Sequence, residues 1–327
     1  MPPRASTKKQ PKEEFVFEVL SANDLDPRET LMHMVCGPPK TGKSWLLGQM
    51  CEEGPTLLIA FLQREVSSVQ YQIHNPDVIL LEDTEWKPEP PGKNGEVKGT
   101  YNATAYSRFI ELLELLQEDK IVSASGEPYR VVLIDSGTEL AEAGWHEALQ
   151  PMGVMDPAYL GPGENSFGPY TALDSLMDKA LKGIQLLKTA PTPKYVGITW
   201  HVQPTKDDTV IRVGDRQSGY TKEKKSADHK GEGVEYEGSI LPMVRGRFRR
   251  KVFGLVDAVT WTAVKHHTDK GSKKDELSGE RVSTPVYLLQ VRSDEERHCG
   301  LPGLLPEYPF IRNNWRELKA LLQRKGE

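Results

Sequence analysis

Residues Gly37-Pro38-Pro39-Lys40-Thr41-Gly42-Lys43-Ser44 follow the pattern GxxxxGK[ST], and this octapeptide restricts the chain to folds that set a strand before it and a helix after it. The apolar run Leu31-Met32-His33-Met34-Val35-Cys36 in front of it reads as a buried strand, and Ser44 to Cys51 behind it continues as an amphipathic helix. Backbone N–H groups and a helix N-terminus then converge on one point, an arrangement suited to phosphate oxygens. The plainer reading of the same residues is a glycine turn between strand and helix.

Each position has a physical task under the phosphate reading. Gly37 and Gly42 allow close backbone approach where a Cβ would intrude. Pro38 and Pro39 carry no N–H, so the backbone donors must come from Lys40, Thr41, Gly42, Lys43 and Ser44. Lys43 reaches the β- and γ-phosphates as a point charge. Ser44 offers its hydroxyl to Mg²⁺, which needs one or two carboxylates in addition. The run Val131-Val132-Leu133-Ile134-Asp135 is a central parallel strand ending in an acid, and Asp135 is the expected second Mg²⁺ partner.

The chain has 327 residues, a net charge of −5 and three widely spaced cysteines. That length can bury one full α/β core with extensions. The acidic balance excludes a uniformly basic nucleic-acid coat and leaves room for a local basic patch. Cys36, Cys51 and Cys299 form no CxxC pair, so neither a zinc site nor a disulfide framework is expected. No run of 18 apolar residues and no signal peptide is present, so the expected location is the cytoplasm, away from membranes.

Apolar strings recur at α/β spacing. Residues 56–61, 77–81, 131–135 and 195–200 read as further strands, with helices over 106–116 and 173–187. Strands alternating with helices predict a doubly wound, mostly parallel sheet. Residues 256–264 and 285–291 are strand-like with no helix between them and predict an antiparallel pair that extends this sheet. A last helix over 314–323 has Asn313 or Asn314 as its cap. The expected divisions are a disordered arm at 1–14, a core at 15–312 and a C-terminal helix at 313–327. Within the core, 84–100, 141–169 and 203–240 read as long irregular loops. The later two follow strands at the ligand-binding edge of the sheet.

Taken together, GPPKTGKS, VVLIDS, the ITWH strand end and the pair GLVDAVTWTAV and VYLLQVR resemble the RecA-like P-loop ATPases. The likeness is greatest to the phage AAA-domain group that includes Sak-type ATP-dependent single-strand annealing proteins, and it spans roughly residues 30–300. The resemblance implies a RecA-like fold, ATP and Mg²⁺ as ligands, and ATP hydrolysis. It also implies single-stranded DNA as a partner, a filament or ring of identical subunits, and a single-strand-binding protein as a further partner. Glu65, after the second strand, takes the place of the glutamate that polarises the attacking water, although a surface glutamate at a helix start fits it as well. His201 takes the place of the polar sensor of the γ-phosphate.

The family's DNA-contacting loops follow the fourth and fifth core strands. The last of the long loops here supplies Lys222, Lys224 and Lys225, and the segment after it supplies Arg245, Arg247, Arg249, Arg250 and Lys251 around Phe248. Phosphate contacts need such cations and base stacking needs aromatics, while a solvated charge run is the alternative. Arg292 and Arg297 follow the last strand, where the family offers cations across a subunit interface. A translocating helicase or packaging motor, a small-molecule kinase and a nucleotide-regulated scaffold without turnover remain competing readings.

Overall fold

Alternation along the first strand decides how the molecule is layered. The computed structural model describes residues 31–69, 76–83, 87–88, 99–100, 103–153, 168–204, 240–245, 248–267, 284–293, 299, 301 and 309–323. In β1 (Met32–Gly37), Met32, Met34 and Cys36 face one hydrophobic cluster and Val35 faces another. A strand buried on both faces must sit inside a sheet covered by helices on both sides.

The helices follow from that requirement. On one side lie α1 (Lys43–Gln49), which takes in the last two residues of the glycine-containing octapeptide, and α7 (Trp315–Gln323). On the other lie α3 (Ala105–Gln117), α4 (Gly137–Leu149) and α5 (Gly168–Leu186). Two shorter helices, α2 (Gln63–Val69) and α6 (Phe248–Lys251), complete the set.

The remaining strands are β2 (Thr56–Ala60), β3 (Asp77–Leu80), β4 (Lys87–Pro88), β5 (Gly99–Thr100), β6 (Val131–Asp135), β7 (Tyr195–Pro204), β8 (Ile240–Pro242), β9 (Ala258–His267), β10 (Thr284–Gln290) and β11 (Phe310–Arg312). The main sheet runs β11-β10-β9-β1-β7-β6-β2-β3, with β8 added to β7. From β3 to β9 neighbouring strands are parallel, and β10 is antiparallel to both β9 and β11. The expected α/β sheet with a C-terminal antiparallel pair is therefore present, as is the last helix. Asn314 caps that helix, its Oδ1 accepting from the N–H groups of Arg316 and Glu317 at 2.9 and 3.3 Å.

Three expectations need correction. Residues 141–149, read as part of an irregular loop, are helical. Ser136 Oγ accepts from Glu139 N at 3.3 Å to cap α4, and Leu140, Ala141, Trp145, Ala148 and Leu149 bury one face of it. The glycines, prolines and aromatics farther along that stretch hid this periodicity, and residues 154–167 lie outside the described ones. The stretch 84–100 contains the antiparallel pair of β4 and β5, in which Lys87 faces Thr100 and Pro88 faces Gly99. The fifth core strand runs on to Pro204 rather than stopping near Trp200, because β8 pairs with its extension at Val202, Gln203 and Pro204. The expected arm at 1–14 lies outside the described residues.

Candidate phosphate and cation site

The strand order brings distant segments to one edge. β7 is inserted between β1 and β6, so Gly37 lies beside His201 and, one strand farther on, the acid-tipped β6 reaches the same edge. Asp135 in turn faces Ala60 at the end of β2. The loop, the acid, the glutamate and the histidine singled out in the sequence thus share the C-terminal edge of the sheet, where open α/β sheets take ligands.

The loop is held in a specific shape. Gly42 lies in the left-handed region at φ 88°, and a Cβ there would come 2.6 Å from Asn313 Nδ2. A Cβ on Gly37 would come 2.1 Å from Thr262 Oγ1. Lys40 also adopts a left-handed φ of 63°, which is uncommon for a residue with a Cβ. Thr41 does not offer its hydroxyl outward. Its Oγ1 donates to Pro38 O at 2.7 Å and lies 2.5 Å from Thr262 Oγ1. Asn313 Nδ2 donates to Gly42 O at 3.0 Å and ties the C-terminal segment to the loop.

Lys43 is buried and donates to Gly37 O at 3.0 Å and Pro38 O at 2.8 Å. Burial lowers its pKa to about 8, against the opposing pull of the Asp135 carboxylate. Ser44 Oγ donates to Asp135 Oδ2 at 2.5 Å, and Thr199 Oγ1 donates to Asp135 Oδ1. The acid therefore has a hydroxyl partner on each oxygen. Ser44 and Asp135 supply oxygen atoms only, the donor set that a hard divalent cation takes.

Glu65 lies in the first turn of α2, and its Oε2 accepts from Phe61 N and Leu62 N, both at 3.1 Å. Burial first, and then the nearby Asp135, push its pKa up to about 7 in spite of those two donors. Between about pH 4.5 and 7 the unfolded chain has released this proton while the folded chain retains it, so stability falls as pH rises through that window. Glu65→Gln keeps an acceptor for both N–H groups and removes the titration. Chemical denaturation is expected to show the variant gaining on the parent between pH 5 and pH 8, by on the order of 1 kcal/mol after allowance for solvent screening. An unchanged difference would mean that Glu65 is not held in a buried, acid-crowded environment.

His201 is on β7, not in a loop. Its N–H donates to Thr138 Oγ1 at 2.9 Å, its carbonyl accepts from Met243 N at 2.8 Å, and its Nδ1 is buried without a hydrogen-bond partner. Burial and then the Lys43 ammonium depress its pKa, so the ring is neutral near pH 7.

Other expected site residues lie elsewhere. Arg245 pairs with Glu142 at 3.2 and 3.3 Å and stacks over the Trp145 ring at 4.9 Å, while Lys251 pairs with Asp178. Arg292 is exposed just past β10. Because β10 runs antiparallel to β9, the chain there heads away from the edge that carries the loop. Lys222, Lys224, Lys225, Arg247 and Arg297 lie outside the described residues, as do the side chains of Arg249 and Arg250. His146 sits on α4 with Nδ1 2.8 Å from Asp83 Oδ2.

Thr199, Thr262 and Thr138 belong to the site and carry no signal in the sequence, and Asn313, read there only as a candidate helix cap, belongs to it too. Each gains its role from a partner more than 60 residues away. No family model matches the chain, and no curated protein is found to be similar to it. Among the described residues no helix is long and apolar enough to cross a membrane, and no group of three or more His, Cys, Asp or Glu side chains is placed to hold a metal by itself.

Proposed function

We propose that the chain is a RecA-like P-loop ATPase that uses Mg²⁺ and ATP and acts on single-stranded DNA in recombination, annealing or replication. The Ser44–Asp135 contact carries this reading. A loop hydroxyl and a strand-tip carboxylate, 91 residues apart in sequence, meet at 2.5 Å beside the phosphate loop. The insertion of β7 between β1 and β6 further supports the RecA-like assignment, because it sets the polar residue of the fifth core strand next to the loop.

The residues fit a magnesium nucleotide. The loop has no room for a Cβ at Gly37 or Gly42, Lys43 brings the cation, and the buried Nδ1 of His201 lacks a partner. Ser44 and Asp135 would hold the metal, Asp135 directly or through water. When bound, Mg²⁺ neutralises charge on the phosphate oxygens. Lys43 exchanges the carbonyls of Gly37 and Pro38 for phosphate, where its contacts become charge-assisted on both sides. Glu65, with a pKa near 7, is suited to accept a proton from an attacking water. His201 senses the terminal phosphate and transmits its position through Thr138 to α4 and through Met243 to the chain that follows β8.

The DNA part of the proposal rests on the cations of 203–251. Arg245 and Lys251 are held by surface carboxylates, and such pairs contribute only about 0–1 kcal/mol, so phosphates can displace those partners. Arg292 and Arg297 would serve a neighbouring subunit in a filament or ring. Single-stranded DNA is expected to raise the ATPase rate several-fold, and its binding is expected to weaken steeply between 50 and 200 mM salt, by on the order of 10³-fold for six phosphate contacts. Absence of both effects removes DNA from the assignment. A nucleotide-regulated switch without turnover is the second reading, favoured by the two backbone N–H groups that clamp Glu65 Oε2. Nucleotide binding without ADP release in the presence of DNA would decide for it.

A further inference from the structure

We propose that Arg64 is a catalytic residue of the same site, its guanidinium leaving Glu139 to bind the terminal phosphate of the nucleotide held by its own chain. This rests on the ATPase reading above and adds a cation to it.

Placement is the first argument. Ala60 at the end of β2 is paired with Asp135, and Glu65 Oε2 pins the N–H groups of Phe61 and Leu62. The turn carrying Arg64 is thereby fixed beside the strand that delivers the acid. Arg64 Nη2 donates to Glu139 Oε1 at 3.3 Å. Glu139 stands in the first turn of α4, next to Thr138, whose hydroxyl holds His201 N. Arg64 and His201 are thus anchored at adjacent residues of one helical turn, and His201 in turn lies near Lys43 and Asp135. The guanidinium is close enough to help depress the basicity of the His201 ring.

Strength is the second argument. The Arg64 side chain is 75% exposed and Glu139 holds it through a long contact, an interaction of little worth. A phosphate can take a guanidinium through two parallel charge-assisted hydrogen bonds. Exchange of one partner for the other is therefore favoured once the phosphate is present.

Charge is the third. At this edge Lys43 is the buried ammonium, beside Asp135, and Glu65 in turn stands close to the carboxyl groups of Asp135 and Glu139, while the loop's other ammonium, Lys40, is exposed. Arg292 lies on a segment that leads away from it. In hydrolysis, water forms a bond to the terminal phosphorus as the bond to the bridging oxygen breaks, giving ADP and inorganic phosphate and releasing one proton. Arg64 neither gives nor takes that proton. It stabilises the charge on the transferring oxygens, a role for which a cation within reach is required.

The test is calorimetric titration with Mg·ADP alone and with Mg·ADP plus aluminium fluoride, applied to the parent, Arg64→Ala, Arg64→Lys, Glu139→Gln and Lys43→Ala, with thermal midpoints as a folding control. The parent is expected to bind the fluoride complex more tightly than Mg·ADP. Arg64→Ala should keep Mg·ADP affinity within about 3-fold and lose that tightening, with turnover down about 100-fold or more. Arg64→Lys should recover part of it, and Glu139→Gln, which removes the carboxylate charge paired with Arg64, should retain it fully. Equal tightening in the parent and Arg64→Ala, or none in a parent that binds Mg·ADP, overturns the role of Arg64 and leaves the phosphate site standing. A parent that fails to bind Mg·ADP, indistinguishable from Lys43→Ala, overturns both.

Discussion

Lys43→Ala is expected to weaken Mg·ATP binding by at least about 100-fold and to abolish turnover, because two or more hydrogen bonds to a charged group, worth about 1.5–3 kcal/mol each, are lost together. The side chain is 5% exposed and faces the backbone oxygens of Gly37 and Pro38. Lys40, the other ammonium of the loop, is exposed, whereas Lys43 is held inside it against those oxygens. Its effect on stability should be much smaller than its effect on binding. Burial has already lowered the pKa to about 8, so the folded state gains little from holding this charge in the absence of phosphate. Calorimetry and thermal melting on the same samples separate the two effects. Equal affinities in parent and variant would mean that the loop binds no phosphate.

The second large effect is structural. Trp315→Ala is expected to cost about 3–5 kcal/mol in denaturant unfolding, the range for truncating a buried aromatic. The indole is 1% exposed, stacks on His33 with ring centroids 6.4 Å apart, and donates from Nε1 to Glu53 Oε1 at 2.8 Å. Its backbone N–H reaches Gln49 Oε1 at 3.0 Å, so α7 is fastened to the end of α1. Leu318 and Leu322 bury the rest of that face. Asn313, two residues upstream, holds the carbonyl of Gly42. The same variant should therefore also weaken nucleotide binding, by about 10-fold if that one hydrogen bond is lost. A loss of less than about 1 kcal/mol would show that α7 is an accessory to the core and not part of it.

What the sequence discloses and what it hides divide along physical lines. Local patterns were legible. The octapeptide, the apolar run ahead of it, the acid at Asp135 and the alternation in β9 and β10 each depend on neighbours within a few residues. The helix α4 was missed because its buried face uses Ala141, Ala148 and Gly144 beside Trp145, which gives a weak hydrophobic periodicity. The pairing of Asp135 with Thr199, of Thr41 with Thr262 and of Gly42 with Asn313 follows from strand order, which no local spacing encodes. Glu65 shows both sides of this. Its position at a helix start was readable, while the rise in its pKa comes first from burial in the folded core and then from Asp135 on β6.

The insertion of β7 between β1 and β6 makes the sheet a ruler. Two strand spacings of about 4.8 Å separate the backbone that launches the Gly37–Ser44 loop from the backbone that ends in Asp135. That gap is spanned by parallel backbone ladders on both sides of β7 and is stiffer than any loop. The distance across which a cation would be shared is thus a property of the main chain. Replacing side chains around the site can alter which ligand is held and how tightly, while the span itself changes only if β7 leaves the sheet.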